Sequence, residues 1–349
     1  MTKEEEVKVD YSSIEKSLAD LWRNEPREGE KPVTRAALWN VVAHTWEKEH
    51  HTLATETLGR ASESVPQRSI IIHSSPDGED DISSWISANC HLVRKEKQVC
   101  SEEIAIIASG ERIHHVPPLV SALLIPDMPV AVWWLGDLPG EHGEYVQALL
   151  APADRLIVDS SHFDHPSDLA LVARIAEKTT TSPADLNWVR LEEWRAATAS
   201  LFEPPRMRER MRAIRSLHIS GPGGSFGKTA QRLLYAGWIS AQLGHDVDLD
   251  GRIERGEIDF RLVSDEHAKS MQSVEIRFSD DSVATIHRDR ERGVLITSVD
   301  GTHSTFECVT RVLSHGRGDL IVRQLKRPES DRVLLKTLPL AARLARRVA

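Results

Sequence analysis

Cysteine is scarce in this 349-residue chain, which holds only Cys90, Cys100 and Cys308. An odd, sparse set gives no disulfide framework and no zinc-ligand spacing. Cys90 and Cys100 could pair only if their segments form neighbouring strands, and the set reads as reduced, buried thiols packing as small hydrophobes. Long apolar runs are missing too, which excludes a membrane-spanning helix. The opening MTKEEEVKVD is charged and lacks the apolar core of a signal peptide, so the expected location is the cytoplasm. Positive charge does not prevail: 44 Lys and Arg stand against 53 Asp and Glu, a net charge of −9, whereas nucleic-acid binding wants a basic footprint. No HExxH and no recognisable Ser-His-Asp order occurs. These absences point to a protein without a recognisable catalytic motif.

What is present is a set of short apolar runs with polar ends. Val130–Leu135 stops at Gly136-Asp137, and Leu156–Val158 stops at Asp159-Ser160-Ser161. Ser69–Ile72 stops at His73-Ser74-Ser75, and Ile104–Ala108 at Ser109-Gly110. Such runs, separated by helix-length segments, predict a mostly parallel sheet with helices on both faces. In these sheets ligands and partners dock at the carboxyl edge of the strands. Trp133 and Trp134 sit side by side in one run and must point to opposite faces. Core packing is the default for both, with a partner-facing role open for Trp134 nearer the strand end.

A chain of this length predicts two domains. Residues 1–30 read as a charged tail with a short helix signal at Ser12–Trp22 and a linker, EPREGEKP. Residues 31–183 read as the α/β domain, with Ile82–Leu92 and Glu102–Ala108 as neighbouring strands and helices at Glu47–Ser62, Pro117–Leu124, Glu144–Leu150 and Asp168–Lys178, the last capped by Ser167. Thr179–Pro183 marks the boundary. Residues 184–349 read as an α+β domain with antiparallel strands: a helix over Leu186–Phe202, a strand at Leu217–Ser220, a helix at Thr229–Leu243, four alternating strands between Val274 and Val309, and two closing helices.

Gly221–Thr229 invites comparison with a phosphate-binding loop, because it follows a strand and precedes a helix. The position that such a loop reserves for its first glycine is Pro222, so a glycine turn entering a helix is the favoured reading. Asp159, His162, Asp164 and His165 could ligate a metal, but no second cluster completes the set, and a capped strand end is favoured. Arg206, Arg208, Arg210, Arg212 and Arg215 form a basic run. Arg208, Arg212 and Arg215 would share one helical face, either solvated or docking an acidic surface or phosphate.

Several phrases together resemble the OpcA family, the glucose-6-phosphate dehydrogenase assembly proteins. They are Thr34-Arg35-Ala36, Asn40-Val41-Val42, Pro66-Gln67-Arg68, Cys100-Ser101-Glu102, Pro126-Asp127-Met128-Pro129-Val130, Trp133-Trp134 and Ala153-Asp154-Arg155-Leu156-Ile157-Val158-Asp159-Ser160. Asp185-Leu186-Asn187-Trp188, Arg190-Leu191, Trp194-Arg195 and Gly237-Trp238-Ile239 continue the pattern, which covers roughly residues 30 to 250.

The resemblance implies a non-catalytic, cytoplasmic, bacterial effector of carbohydrate metabolism. It would bind glucose-6-phosphate dehydrogenase, promote its active oligomer and activate it allosterically in the pentose phosphate pathway. The implied partner is the dehydrogenase, with no nucleic acid, membrane, metal or cofactor. Strand ends and motif positions nominate Asp127, Trp134, Asp137, Arg155, Asp159 and Ser160 as partner-binding residues, with Arg208 and Arg212 as a second patch. The alternative is a sugar-phosphate-binding enzyme or sensor using the same polar crest. A thioredoxin-type switch through C-terminal cysteines, found in cyanobacterial members, is not expected where only Cys308 is available.

Overall fold

The computed structural model describes residues 2–3, 6–23, 33–93, 97–138, 143–244, 258–300, 306–313, 315–327 and 329–348. The expected linker at 25–32 lies outside the described residues, as does Gly301 of the Asp300-Gly301 turn expected between two of the alternating strands.

In chain order the elements begin with β1 (Thr2–Lys3), β2 (Val7–Val9), α1 (Ile14–Arg23), β3 (Val33–Arg35), β4 (Trp39–Thr45), α2 (Lys48–Ser62), β5 (Gln67–Ser75), β6 (Asp81–Val93) and β7 (Lys97–Ser109). There follow α3 (Val116–Leu123), β8 (Val130–Leu135), α4 (Gly143–Leu150), β9 (Arg155–Val158), α5 (Pro166–Lys178), β10 (Ser182–Asp185), α6 (Leu186–Val189), α7 (Glu192–Leu201) and α8 (Pro205–Arg210). The remainder is β11 (Ile214–Pro222), α9 (Phe226–Gln242), β12 (Asp259–Asp265), β13 (Ser273–Phe278), β14 (Val283–Asp289), β15 (Val294–Asp300), β16 (Phe306–Arg311), α10 (Arg317–Leu325) and α11 (Arg332–Val348).

Two compact units interleave along the chain. The first comprises Met1–Val158, Thr180–Ala184 and His315–Ser330; the second comprises Asp159–Thr179, Asp185–Ser314 and Asp331–Ala349.

The first unit is built on a sheet of order β1-β6-β7-β5-β4-β8-β9-β10. β7, β5, β4, β8 and β9 run parallel. Strands covered on both faces read as unbroken apolar runs, and every residue of β4, β8 and β9 is buried. From β7 to β10 the order, renumbered along the chain, is 3-2-1-4-5-6, the doubly wound arrangement with its topological switch between β4 and β8. β6 replaces the usual crossover helix and pairs antiparallel with β7.

The motif phrases of this unit are structural. The Arg68 and Glu102 side chains are buried, and Arg68 Nε donates to Glu102 Oε2 at 2.7 Å. Glu102 also receives Trp22 Nε1 at 2.7 Å and Arg35 Nε at 2.8 Å, so the carboxylate binds α1, β3 and β5 to β7. Asn40 bonds the backbone of Ile125 and Met128 and shapes the Pro126–Pro129 turn, where Asp127 takes a positive φ of 61°.

One expectation is overturned. β6 and β7 are neighbours, and their register sets Cys90 against Cys100 in a disulfide, not as two reduced thiols. Leu21 and Trp22 of α1 pack over it. Cys308 is free. A cross-link spanning 10 residues removes chain entropy from the unfolded state. Reduction is expected to lower the first unit's stability by about 2–3 kcal/mol, read from urea unfolding with and without reductant.

The second unit holds a sheet of order β12-β11-β13-β14-β15-β16. All of its pairings are antiparallel except β11 with β12, which α9 connects. β13 and β15 alternate between buried and part-exposed residues, as a sheet with one covered face does. The expected single helix over Leu186–Phe202 is two, α6 and α7, broken at Arg190-Leu191. Ser167 does not cap α5: Pro166 opens the helix, and its N-cap position is His165. No described helix is long and apolar enough to cross a membrane.

Candidate functional site

The switch point between β4 and β8 is the place where this strand order opens a ligand crevice. The register pairs His44 with Trp134 there, and their rings stack at 4.2 Å. Trp46 meets His44 edge-on at 4.6 Å, and Tyr145 from α4 lies 5.3 Å from both rings. His44 Nε2 contacts Ser74 Oγ at 3.2 Å, and Ser74 Oγ contacts Tyr145 OH at 3.0 Å. Trp134 Nε1 donates to the Asp137 carbonyl at 2.9 Å. His44 and Trp134 are fully buried. Burial, with some help from the charge of His73, pulls the His44 pKa down to about 3, so the ring is neutral at physiological pH.

This strand order holds a nicotinamide dinucleotide in many proteins, and the residues here do not fit one. The first βα turn needs glycines so that the backbone can approach a pyrophosphate; it reads Thr45-Trp46-Glu47-Lys48-Glu49. The amino end of α2 should attract an anion, yet Glu47 and Glu49 stand there. Glu47 Oε1 lies 3.7 Å from the Cβ position of Gly136, across the crevice. The tip of β5 should carry an acid for the ribose hydroxyl and carries His73-Ser74-Ser75. The protein's own aromatic rings fill the space.

A second polar constellation lies in the second unit. Asp159 is 8% exposed and takes two hydrogen bonds from Arg190, Nη1 to Oδ1 at 2.7 Å and Nη2 to Oδ2 at 2.8 Å. Burial alone would raise the Asp159 carboxyl. Hydrogen bonds and charge from Arg190 and His162 outweigh it and hold the group far below the usual carboxylate range. Asp185 Oδ1 accepts from the Ser160 and Asn187 amides at 3.1 and 2.8 Å, capping α6. Burial, joined by the charge of Asp159, pushes the Asp185 carboxyl up to about 6 against those hydrogen bonds.

A raised carboxyl pKa means that the folded state holds the proton more tightly than the unfolded one. The Asp185 contribution is therefore full below about pH 4 and is lost as the pH climbs through about 6. Asp185→Asn should flatten stability across that window in urea titrations at successive pH values. Parallel pH profiles for the two proteins would refute the assignment.

Within the first unit the predicted site residues do not converge. Asp127 is exposed at the amino edge, remote from the strand tips. Arg155 is buried at the amino end of β9 and donates to the carbonyls of Gln324 and, at 3.0 Å, Glu329. Trp134, Asp159 and Ser160 are buried inside their own units, and Asp137 is half-buried. Arg208 and Arg212 are exposed. The arginine run does not share a helical face, because α8 ends at Arg210 and Arg215 lies in β11. His162 Nδ1 sits 3.5 Å from Asp159, and among the described residues no group of three or more His, Cys, Asp or Glu could hold a metal. His44, Trp46, Ser74, Tyr145 and Arg190 were missed as site residues; the adjacency of aromatic and histidine residues at two strand ends was the available signal.

The glycine segment behaves as a turn. Gly224 has φ +103°, and Ser225 precedes α9. The Pro222 carbonyl points inward and accepts from buried Arg232 at 2.6 Å.

Residues 59–174 match the family description "Glucose-6-phosphate dehydrogenase subunit N-terminal domain", and residues 181–338 match its C-terminal counterpart. A protein named "Putative OxPP cycle protein OpcA" from Synechocystis sp. is 34% identical over 178 residues, covering 50% of this chain and 36% of that one. Its namesake from Synechococcus elongatus is 32% identical over 200 residues, 57% of this chain and 44% of the relative. The chain thus spans under half the length of these curated relatives. A 3-ketoreductase from Actinomadura kijaniata, solved with NADP, aligns with 89% of this chain and 95% of its own at 14% identity and a TM-score of 0.46, too slight a likeness to bear on function. By the two matched halves, this chain belongs to the OpcA family.

Proposed function

We propose that this chain is a non-catalytic effector of glucose-6-phosphate dehydrogenase. It binds the dehydrogenase in the cytoplasm, favours its active oligomer and raises its activity, and so feeds the oxidative pentose phosphate pathway. The observation that carries this reading is that both halves match domains described as parts of a glucose-6-phosphate dehydrogenase subunit. The aromatic filling of the β4–β8 crevice supports it, since nicotinamide chemistry then belongs to the partner. Activation requires tighter binding to the active state than to the inactive one, because a ligand shifts an equilibrium only by its differential affinity.

The test is dehydrogenase activity of the same organism's enzyme at limiting glucose 6-phosphate, with and without the purified protein, alongside size-exclusion chromatography. A rise in rate or a fall in KM, with co-elution in a larger oligomer, is expected. Unchanged kinetics with separate elution would refute the reading.

A further inference from the structure

Within the second unit, one cavity of about 190 Å³ opens to solvent at the carboxyl end of α9. Its walls are Phe202, Met211, Ile214 and Trp238, and Ala199 and Gln242 stand exposed at its mouth. The lining is apolar and the volume admits one large side chain. An apolar hole of this kind on a surface is a docking feature.

The arginine run borders it. Arg212 follows the wall residue Met211 directly, and Arg208 lies one helical turn earlier. Arg210 is committed inward: it pairs with Asp280 at 2.8 Å from both carboxylate oxygens, and its guanidinium sits 4.2 Å over the Phe278 ring. That contact pins the turn from α8 into β11. Arg206, Arg208, Arg212 and Arg215 remain exposed, and the acids of the same stretch are Glu203 and Glu209. A cationic excess around an apolar hole, in a chain of net charge −9, is complementary to an acidic segment with an apolar anchor. Arginine suits this role because its fork bonds carboxylates in pairs.

We propose that this pocket and its arginine rim dock an acidic segment of glucose-6-phosphate dehydrogenase that inserts one large apolar side chain. The inference rests on the proposed function and gives it a surface. The lining residues make the socket, and the rim sets orientation and association rate.

Three purified full-length proteins test it against the same organism's dehydrogenase: the wild type, Ala199→Trp, and the triple variant Arg206→Glu, Arg208→Glu, Arg212→Glu. Affinity is measured at low and high salt, with circular dichroism melts as the folding control. Ala199→Trp should weaken binding about tenfold or more with its salt dependence intact. The triple variant should weaken it at least as much and lose most of the salt dependence. If Ala199→Trp fails to fold, the triple variant, altered only at exposed positions, decides alone. Wild-type affinity in the triple variant overturns the inference and leaves the proposed function standing. A wild type that does not bind the dehydrogenase overturns both. A concentration-dependent wild-type dimer that Ala199→Trp abolishes would assign the pocket to a second copy and overturn the proposal.

Discussion

Arg190→Ala should destabilise the second unit by about 3–5 kcal/mol, the range for removing one partner of a buried ion pair. Arg190 supplies both direct guanidinium bonds to Asp159, whose carboxylate is 8% exposed. Without the guanidinium, Asp159 keeps hydrogen bonds from Ser161 and the nearby His162 but must hold a buried negative charge close to Asp185. Protonating it relieves the cost, so the variant should gain stability as the pH falls. The sign reverses that of the wild-type pair, where a depressed pKa contributes stability above the unfolded value and loses it as the pH falls. Urea unfolding at pH 7 and pH 4.5 reads both effects. A second variant, Asp159→Asn with Arg190→Met, removes both charges and should recover a large part of the loss, because replacing a buried ion pair with uncharged side chains is far less costly than orphaning one charge. A loss under about 1 kcal/mol for Arg190→Ala would show that the pair is solvated.

Gly227→Ala should cost the same unit about 3 kcal/mol or more, at the upper end for overpacking. A Cβ there would lie 2.3 Å from the Ser161 carbonyl oxygen and 3.0 Å from that of Phe163. Both obstacles are backbone, so no side chain can swing aside; α9 or the Ser160–His162 turn must shift. Gly244→Ala, with no neighbouring atom within 4 Å, is the comparison for space, although its φ of +70° brings strain of its own. Thermal and urea unfolding would rank the two. Near-equal losses would mean that the close approach of α9 contributes little. The same contact explains a feature that imitates a phosphate loop: this glycine is needed because a helix start rests on a strand-end turn.

The sequence was most readable where the physics is local. β5, β8 and β9 are covered on both faces, so each carries a continuous apolar run that ends where cover ends. β12 escaped notice because its alternation is short: Phe260 and Leu262 share one face, but Ser264 follows them there and none of the three is fully buried. The break at Arg190-Leu191 has no glycine or proline to announce it; it coincides with the reach of Arg190 to Asp159. The disulfide depends on register: two strands were expected side by side, but only the alignment that sets Asp81 against Ser109 brings Cys90 to Cys100. Among site residues, Trp134 and Asp137 do follow the strand-end rule. Their accessibility does not, since Tyr145 and Trp46 close over that edge from elements the rule ignores. Arg155 was misplaced for a simpler reason: it begins β9, whereas the rule concerns the strand's other end.

Arg155 also carries a consequence for how the molecule is made. Its partners on Gln324 and Glu329 follow it by 169 and 174 residues. At about 5–20 residues per second, the ribosome delivers them roughly 10–30 s after Arg155 has emerged. Through that interval the strand beginning at Arg155 holds a guanidinium without its carbonyls, and α2 waits for α10, whose Gly318 lies against the Thr57 carbonyl. The first unit to be started is thus among the last to be finished, and a nascent chain paused inside the second unit would present a sheet with all its strands made but α2 still without α10.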